Sequence, residues 1–410
     1  MKDLLRMFTR VYNNRWFQVF LGFLALLCLG TVYSYSILRI EIEKEFSIGS
    51  GLSGIPYLTS LFFYALTMFI SGRYLSRFSP TKIMLIGSIL VSIGWILSGL
   101  ASNIIFLTIT YGLIMGVGVG LLYGIPILVI PKWFIKGNKG LAVGLILAGF
   151  GLSPLITSPL TQLSLDNSGL SSTFVSFGVA FGIVLPIISL LFHNPKEEST
   201  PLVVKVKKDL SIENSNKSIV KTKNFWLLYL NFLFGTTTGL MIIGSTGLIG
   251  TQYYNIEIHI IAFTISAFAF SNAIGRPIFG TLNDYLGTKK AISLIHIITI
   301  ISSGIIILNP FNSFFVFLLG FAPLWMMLGA WLAIAPAATY SLFGETNYPR
   351  NYGIIFTGYG FGAIIGVLFS SRVFDVNLSL DFIFIPIIII SSVILFLSLM
   401  FLGNSSNSKE

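Results

Sequence analysis

Long apolar runs, separated by short clusters of charged and turn-forming residues, repeat along the whole chain. Most are about 20 residues or longer, which is enough to cross the hydrocarbon core of a bilayer as a helix. The pattern predicts an all-α membrane protein with twelve transmembrane helices. Their approximate ranges are 16–38, 52–75, 82–101, 104–131, 139–164, 170–192, 225–250, 258–283, 289–309, 311–343, 351–373 and 379–402.

One polar segment divides these helices into two groups of six. Residues 193–223 are rich in Lys, Glu, Asn and Ser and contain few aromatic side chains, which is typical of a solvated linker. We therefore expect a first half at 1–192, a cytoplasmic linker at 193–223 and a second half at 224–410.

Composition excludes most other classes of protein. Hydrophobic residues make up 54% of the chain and charged residues only 10%, and the mean hydropathy of +0.87 does not suit a soluble domain. Cys28 is the single cysteine, so one chain has no disulfide or cysteine-based metal site. The sequence offers no nucleophile–base pair, paired carboxylates or ligand cluster. We predict neither an enzyme nor a cofactor or metal.

The net charge of +10 reflects membrane topology rather than binding to nucleic acid. With both termini in the cytoplasm, all but four of the 25 Lys and Arg residues fall in cytoplasmic segments, as the positive-inside rule requires. The exceptions are Arg39, Lys44 and Arg372 on the outer side and Arg276 in the membrane. We expect a multi-pass protein of the cell (cytoplasmic) membrane, in contact with lipid.

Arg276 is the one charged side chain that this interpretation leaves within the bilayer. A buried guanidinium is costly unless it faces a wet cavity or a counter-charge, so it marks a candidate site. Its planar donors suit a carboxylate. Snorkelling or bonding to backbone carbonyls is the structural alternative. Pro277, the next residue, is expected to loosen the helix locally.

The two halves repeat one another at an offset of roughly 210 residues. Four matches occur in register, and abundant glycine makes each weak on its own. They pair Asn14 with Asn224, Gly72 with Gly280, Pro126 with Pro336, and Gly149 with Gly358. Two parallel six-helix repeats with a site between them are typical of secondary transporters.

Specific motifs strengthen this interpretation. The residues Gly280, Asp284, Gly287 and Lys289 resemble the loop motif of the major facilitator superfamily, which controls conformational change. A degraded copy in the first half contains Gly72, Arg73 and Arg77, with Ser76 where the motif usually has Asp. Further stretches resemble the oxalate/formate antiporter family, which is similar to the monocarboxylate transporters: Asn14–Phe17, Tyr33–Tyr35, Gly116–Gly124, Lys132–Phe134, Gly275–Gly280 and Asn351–Gly360.

This resemblance implies roles for individual residues. Arg276 stands where the family binds the substrate carboxylate, and Tyr359 stands where oxalate-specific members carry a second cation, a lysine. Tyr33, Tyr35 and Tyr123 match positions that face the central cavity, although Tyr33 and Tyr35 are roughly 200° apart on a helix and cannot both face it squarely. Further candidates for the cavity wall are Asn272, Trp325 and Trp331. Each aromatic residue has helix packing as its alternative.

The resemblance implies a carrier of small carboxylates that works by alternating access. One cation suits a monocarboxylate such as formate, lactate or pyruvate better than oxalate, because a buried dianion would keep an uncompensated charge. Anion exchange and proton symport both remain open, and His296 is the one titratable group left within the predicted helices. Alternatives are an oxalate or dicarboxylate antiporter, a carrier of an unrelated solute, or a non-transporting sensor. We expect a monomer.

Overall fold

The computed structural model describes residues 14–74, 78–134, 139–195, 219–308, 313–344 and 347–401, without the side chains of 72–74, 139, 140 and 349. These residues form helices and no strand. Eleven helices are long and apolar enough to span a membrane. They are α1 Arg15–Phe46, α2 Ile55–Tyr74, α3 Pro80–Ser98, α4 Ile104–Trp133, α5 Lys139–Leu191, α6 Lys223–Gln252, α7 Ile258–Leu286, α8 Thr288–Ile307, α9 Phe314–Phe343, α10 Tyr348–Asp375 and α11 Asp381–Phe401.

Helix α5 covers the ranges predicted for the fifth and sixth helices. It is interrupted at Gly169, whose φ of 74° and ψ of −179° are not helical. The hydroxyl of Thr173 donates to that of Ser164 at 2.9 Å, whereas nine residues of straight helix would separate the two by roughly 13 Å. The chain therefore reverses at Gly169, and α5 consists of two antiparallel arms.

Helix α1 extends well beyond its predicted end at residue 38. A tighter 3₁₀ stretch, Gly30–Ser34, joins Arg15–Leu29 to Tyr35–Phe46, so Arg39 and Lys44 lie on a helix rather than in a loop. Arg39 is only 1% exposed. Arg39 is thus a second charged side chain buried in the helical bundle, and it pairs with Glu43 one turn later on the same helix.

The other predicted helices are present within a few residues of their expected bounds. Most of the predicted linker, 196–218, lies outside the described residues. Helices α1–α5 pack as one group and α6–α11 as another. The two groups meet where α2 packs on α10, where the first arm of α5 packs on α7, and where α1 packs on α6.

Candidate functional site

Arg276 lies where α7 meets α5, and it is 3% exposed. Its Nη1 donates to the carbonyl of Leu147 on α5, and its Nη2 donates to Oδ1 of Asn272 at 3.4 Å. Its Nε has no partner, and no carboxylate of the described residues forms an ion pair with it. The bundle thus holds a desolvated cation with an unused donor and no counter-charge. That is the condition in which an anion gains most from binding.

Asn272 fixes the orientation of this arginine from one turn earlier on α7. Its Nδ2 donates to the carbonyl of Trp325 on α9 at 2.9 Å, so its Oδ1 points towards Arg276. Asn272 and Trp325 are both fully buried. Asn272 is therefore a neighbour that positions the guanidinium, and Trp325 supports it through its backbone.

Gly151 on α5 allows the two halves to approach closely at this point. A β-carbon there would lie 2.9 Å from Oδ1 of Asn272 and 3.3 Å from Nε of Arg276. Gly144 lies two turns earlier on the same face of α5, and a β-carbon there would have no atom within 4 Å. The contact between α5 and α7 is thus tight beside Arg276 and absent at Gly144.

This difference makes a prediction with a control on the same helix. We expect Gly151→Ala to lower the rate of transport several-fold, because the added methyl displaces the amide that orients Arg276. Gly144→Ala, which meets open space, is expected to transport at the wild-type rate. The measurement is initial uptake by equal amounts of folded protein. Equal rates for the two variants would show that the close approach at Gly151 does not position the arginine.

Buried tyrosines from both halves lie within the electrostatic reach of Arg276. The hydroxyls of Tyr33 on α1 and Tyr359 on α10 are hydrogen-bonded at 2.8 Å. The charge of Arg276 interacts electrostatically with Tyr33 and Tyr123, and also with Tyr352. The structure therefore brings four of the predicted residues, Arg276, Tyr33, Tyr123 and Tyr359, into one buried group that spans both halves.

Sequence reasoning missed several members of this aromatic group. Tyr64 on α2 packs 5.0 Å from Tyr123 and 5.5 Å from Tyr359, measured between ring centroids. Phe150 packs 5.0 Å from Tyr33, and Phe356 packs 5.1 Å from Tyr359. A signal was present: Tyr348, Tyr352, Phe356 and Tyr359 recur every three or four residues, which places them on one face of α10.

Three predicted wall residues lie elsewhere. Tyr35 donates to the carbonyl of Ser53 at 2.7 Å and stacks on Tyr57, within the first half. Trp331 packs against Gly235 and lies 5.6 Å from the ring of His296, inside the second half. The indole of Trp325 donates to Thr246 at 3.1 Å. None of these contacts includes Arg276, and each joins the side chain to a group of its own half.

His296 is also enclosed within the second half. Its Nε2 bonds to Oδ1 of Asn231 at 2.9 Å. Because Nδ2 of Asn231 donates to the carbonyl of Leu227, the amide oxygen faces the histidine and Nε2 must carry the proton. The contacts of His296 explain its burial without any part in binding an anion.

The predicted gating motif lies at the end of α7 and the start of α8. Gly287 has a φ of 79° and joins the two helices, which is a conformation that favours glycine. Asp284 is exposed and Lys289 half-buried, and Gly280 has open space beside it. In the first-half copy, Arg77 and the side chain of Arg73 lie outside the described residues, as do the surroundings of Gly72.

The long apolar helices of the described residues indicate a multi-pass membrane protein. A family model described as Major Facilitator Superfamily matches residues 18–249 and 238–410. The chain belongs to the major facilitator superfamily, as its motifs indicated. Family and fold together point to a transporter and not to an enzyme.

Similar proteins include transporters of carboxylates. The chain is 25% identical to the oxalate:formate antiporter of Oxalobacter formigenes over 361 residues, covering 87% of this chain and 84% of that one. It is 23% identical over 355 residues to the uncharacterized MFS-type transporter YhjX of Escherichia coli, covering 86% of each. Monocarboxylate transporter 12 of Xenopus laevis is 26% identical, covering 70% of this chain and 66% of that one. These relatives confirm the predicted resemblance.

A solved structure shares the fold. A bacterial homolog of the human lysosomal transporter Spinster, in an inward-facing conformation, superimposes with a TM-score of 0.70 and 14% identity, over 93% of this chain and 97% of that one. At this identity the likeness concerns the fold alone.

Proposed function

We propose that this protein is a secondary active transporter of small monocarboxylates of the formate, lactate or pyruvate type. The twelve-helix topology with both termini in the cytoplasm, predicted from sequence, belongs to this proposal. The single observation that carries it is Arg276, a buried guanidinium with a free Nε and no carboxylate partner among the described residues. A substrate carboxylate would supply the missing charge.

The number of available cations favours a monoanion. Arg39, the other buried arginine in the described helices, already pairs with Glu43 at 3.6 Å. The second half contributes phenols to this group rather than a second cation: Tyr352 interacts with the charge of Arg276, and Tyr359 is hydrogen-bonded to Tyr33. One guanidinium offsets one carboxylate, and a second buried carboxylate would remain uncompensated.

The mechanism is alternating access, in which the halves rock about the substrate. Arg276 binds the carboxylate, Tyr33 and Tyr359 exchange their mutual hydrogen bond for bonds to it, and the aromatic group encloses the apolar part. An empty cationic site resists closing, so a returning anion would relieve the cost and couple the two fluxes. In the alternative, proton symport, the coupled proton would have to travel with the substrate, on His296 or along a path of water.

Uptake into proteoliposomes tests this proposal. Labelled formate, lactate, pyruvate and oxalate are offered with and without an unlabelled anion inside. We expect saturable uptake of at least one monocarboxylate and little of oxalate. Dependence on the internal anion identifies exchange, and dependence on a pH gradient identifies symport. Uptake of oxalate alone, or of none of the four, would contradict the assignment.

Tyr359 is expected to determine this selectivity. The resemblance to oxalate-specific proteins predicts that Tyr359→Lys, which adds a second cation, raises oxalate uptake relative to monocarboxylate uptake by at least about tenfold. The control is Tyr359→Phe, which loses the hydrogen bond to Tyr33 without adding charge and is expected to leave the ratio low. A ratio unchanged by the lysine would show that residue 359 does not face the substrate.

A further inference from the structure

A second buried arginine lies at the end of the bundle where α1 stops, which we name the far end. The guanidinium of Arg39 donates four hydrogen bonds. Nε donates to Oγ of Ser53 at 3.0 Å, and Nη1 donates to the carbonyl of Gly244 at 3.1 Å. Nη2 donates to the carbonyl of Ser50 at 2.6 Å and to Oγ of Ser371 at 2.9 Å. Arg39 thus uses four of its five N–H donors, whereas Arg276 uses two.

These partners are divided between the two halves. Ser50, Ser53 and the carboxylate of Glu43 belong to the same half as Arg39. Gly244 lies on α6 and Ser371 on α10, in the other half. A single side chain therefore ties α1 to two helices of the second half, α6 and α10.

Neighbouring contacts close the far end around this arginine. The backbone N–H of Gly51 donates to Oδ1 of Asp375 at 2.9 Å. A β-carbon at Gly54 would lie 2.7 Å from Val367 and 3.3 Å from Nη2 of Arg39. Glu43, which pairs with Arg39, and Asp375 line an open depression on the surface.

At the opposite end of the bundle, α5 and α7 leave open space between them. Gly144 and Gly280 lie on the facing sides of these helices, about one turn beyond the contact between Leu147 and Arg276. Neither has an atom within 4 Å of a β-carbon built on it. At this end the described halves are thus open between α5 and α7, whereas α2 and α10 remain in contact, with a β-carbon at Gly353 lying 3.4 Å from Cα of Phe69.

We propose that Arg39 is a gating residue, a reversible latch that holds the far end closed and must release each time the transporter opens there. When the halves separate, Arg39 loses Ser371 and Gly244 but keeps Glu43 and both serines of its own half. Its charge therefore stays paired with Glu43 in the open state. Loss of the bonds to Ser371 and Gly244 does not leave an unpaired buried cation. The inference rests on the proposed alternating access, but not on the identity of the substrate.

Thiol accessibility tests the latch without any substrate. In a Cys28→Ala background, which removes the single native cysteine, Val367→Cys reports opening of the far end and Gly144→Cys reports opening of the other. Val367 is 1% exposed. Alkylation rates of the purified protein are compared with and without a change at the latch.

We expect Arg39→Gln to raise the alkylation rate at Val367→Cys at least about tenfold and to lower the rate at Gly144→Cys. The state that is closed at the far end loses charge-assisted hydrogen bonds, so the population shifts towards the state that is open there. Ser371→Ala, which removes one bond between the halves, is expected to act in the same direction with a smaller change. The matched control is Ser370→Ala. Ser370 is also buried, but it bonds to Ser245 within its own half.

Two results would overturn the proposal. Rates at Val367→Cys in the Ser371→Ala and Arg39→Gln proteins that equal the Ser370→Ala rate would show that no latch exists. Rates that rise together at both reporter positions would show that Arg39 merely stabilises the fold. If Arg39→Gln does not fold, Ser371→Ala decides alone. A protein that fails to carry carboxylates but shifts accessibility as expected would refute the proposed substrate and leave the latch standing.

Discussion

Replacing Arg276 by Gln is expected to reduce carboxylate uptake at least about 30-fold. Loss of one partner from a buried, hydrogen-bonded charge pair costs about 2–5 kcal/mol, and each 1.4 kcal/mol is a factor of ten. Gln preserves much of the volume and can still bond to Asn272, so the change removes mainly the charge. Initial uptake rates, normalised to the amount of folded protein in the vesicles, measure the effect.

Arg276→Lys is the matched variant for this prediction. It keeps the charge but loses the planar pair of donors, so we expect activity between that of wild type and of Arg276→Gln. Wild-type uptake by a correctly folded Arg276→Gln protein would show that the arginine serves only to join α7 to α5 at Leu147.

The second large effect is expected at Gly329, where α9 approaches α7. A β-carbon at this position would overlap the carbonyl oxygen of Asn272, and backbone cannot move aside as a flexible side chain can. We expect Gly329→Ala to cost about 1–3 kcal/mol through overpacking and to shift the residue that orients Arg276. The midpoint of thermal unfolding should fall, and uptake should fall with it.

Gly304→Ala on α8 controls for the intrinsic effect of the substitution. Gly304 has nothing within 4 Å of its β-carbon position, and Ala is favoured over Gly within a helix by about 0.5–1 kcal/mol. This variant should be as stable as wild type or slightly more so. If Gly329→Ala matched Gly304→Ala in both stability and uptake, the close approach of α9 to Asn272 would contribute neither to the stability of the fold nor to transport.

The sequence alone predicted the parts of this molecule that depend on local pattern. Apolar runs gave the helices, including both arms of α5. The burial of Arg276 followed from its place in an apolar segment. The separation of Tyr33 from Tyr35 agrees with their angle on a helix, since one contacts Tyr359 and the other packs within the first half.

The missing parts depend on contacts between distant residues. Tyr33 and Tyr359 are 326 residues apart in the chain, and periodicity cannot pair them. Arg39 was assigned to an outer loop because charged residues follow it. The i,i+4 spacing of Arg39 and Glu43 was the available sign that the helix continues, but the partners that bury Arg39 belong to helices more than 200 residues later.

Binding of a monocarboxylate by purified wild type and Arg276→Gln tests the central claim most directly. The measurement is the midpoint of thermal unfolding with increasing lactate, formate or pyruvate, against chloride at the same ionic strength. A ligand that binds the folded state raises this midpoint. We predict a saturable rise with at least one monocarboxylate for wild type and none for Arg276→Gln. An equal rise for both proteins, or no rise for wild type, would contradict the assignment of Arg276 as the counter-charge of the substrate.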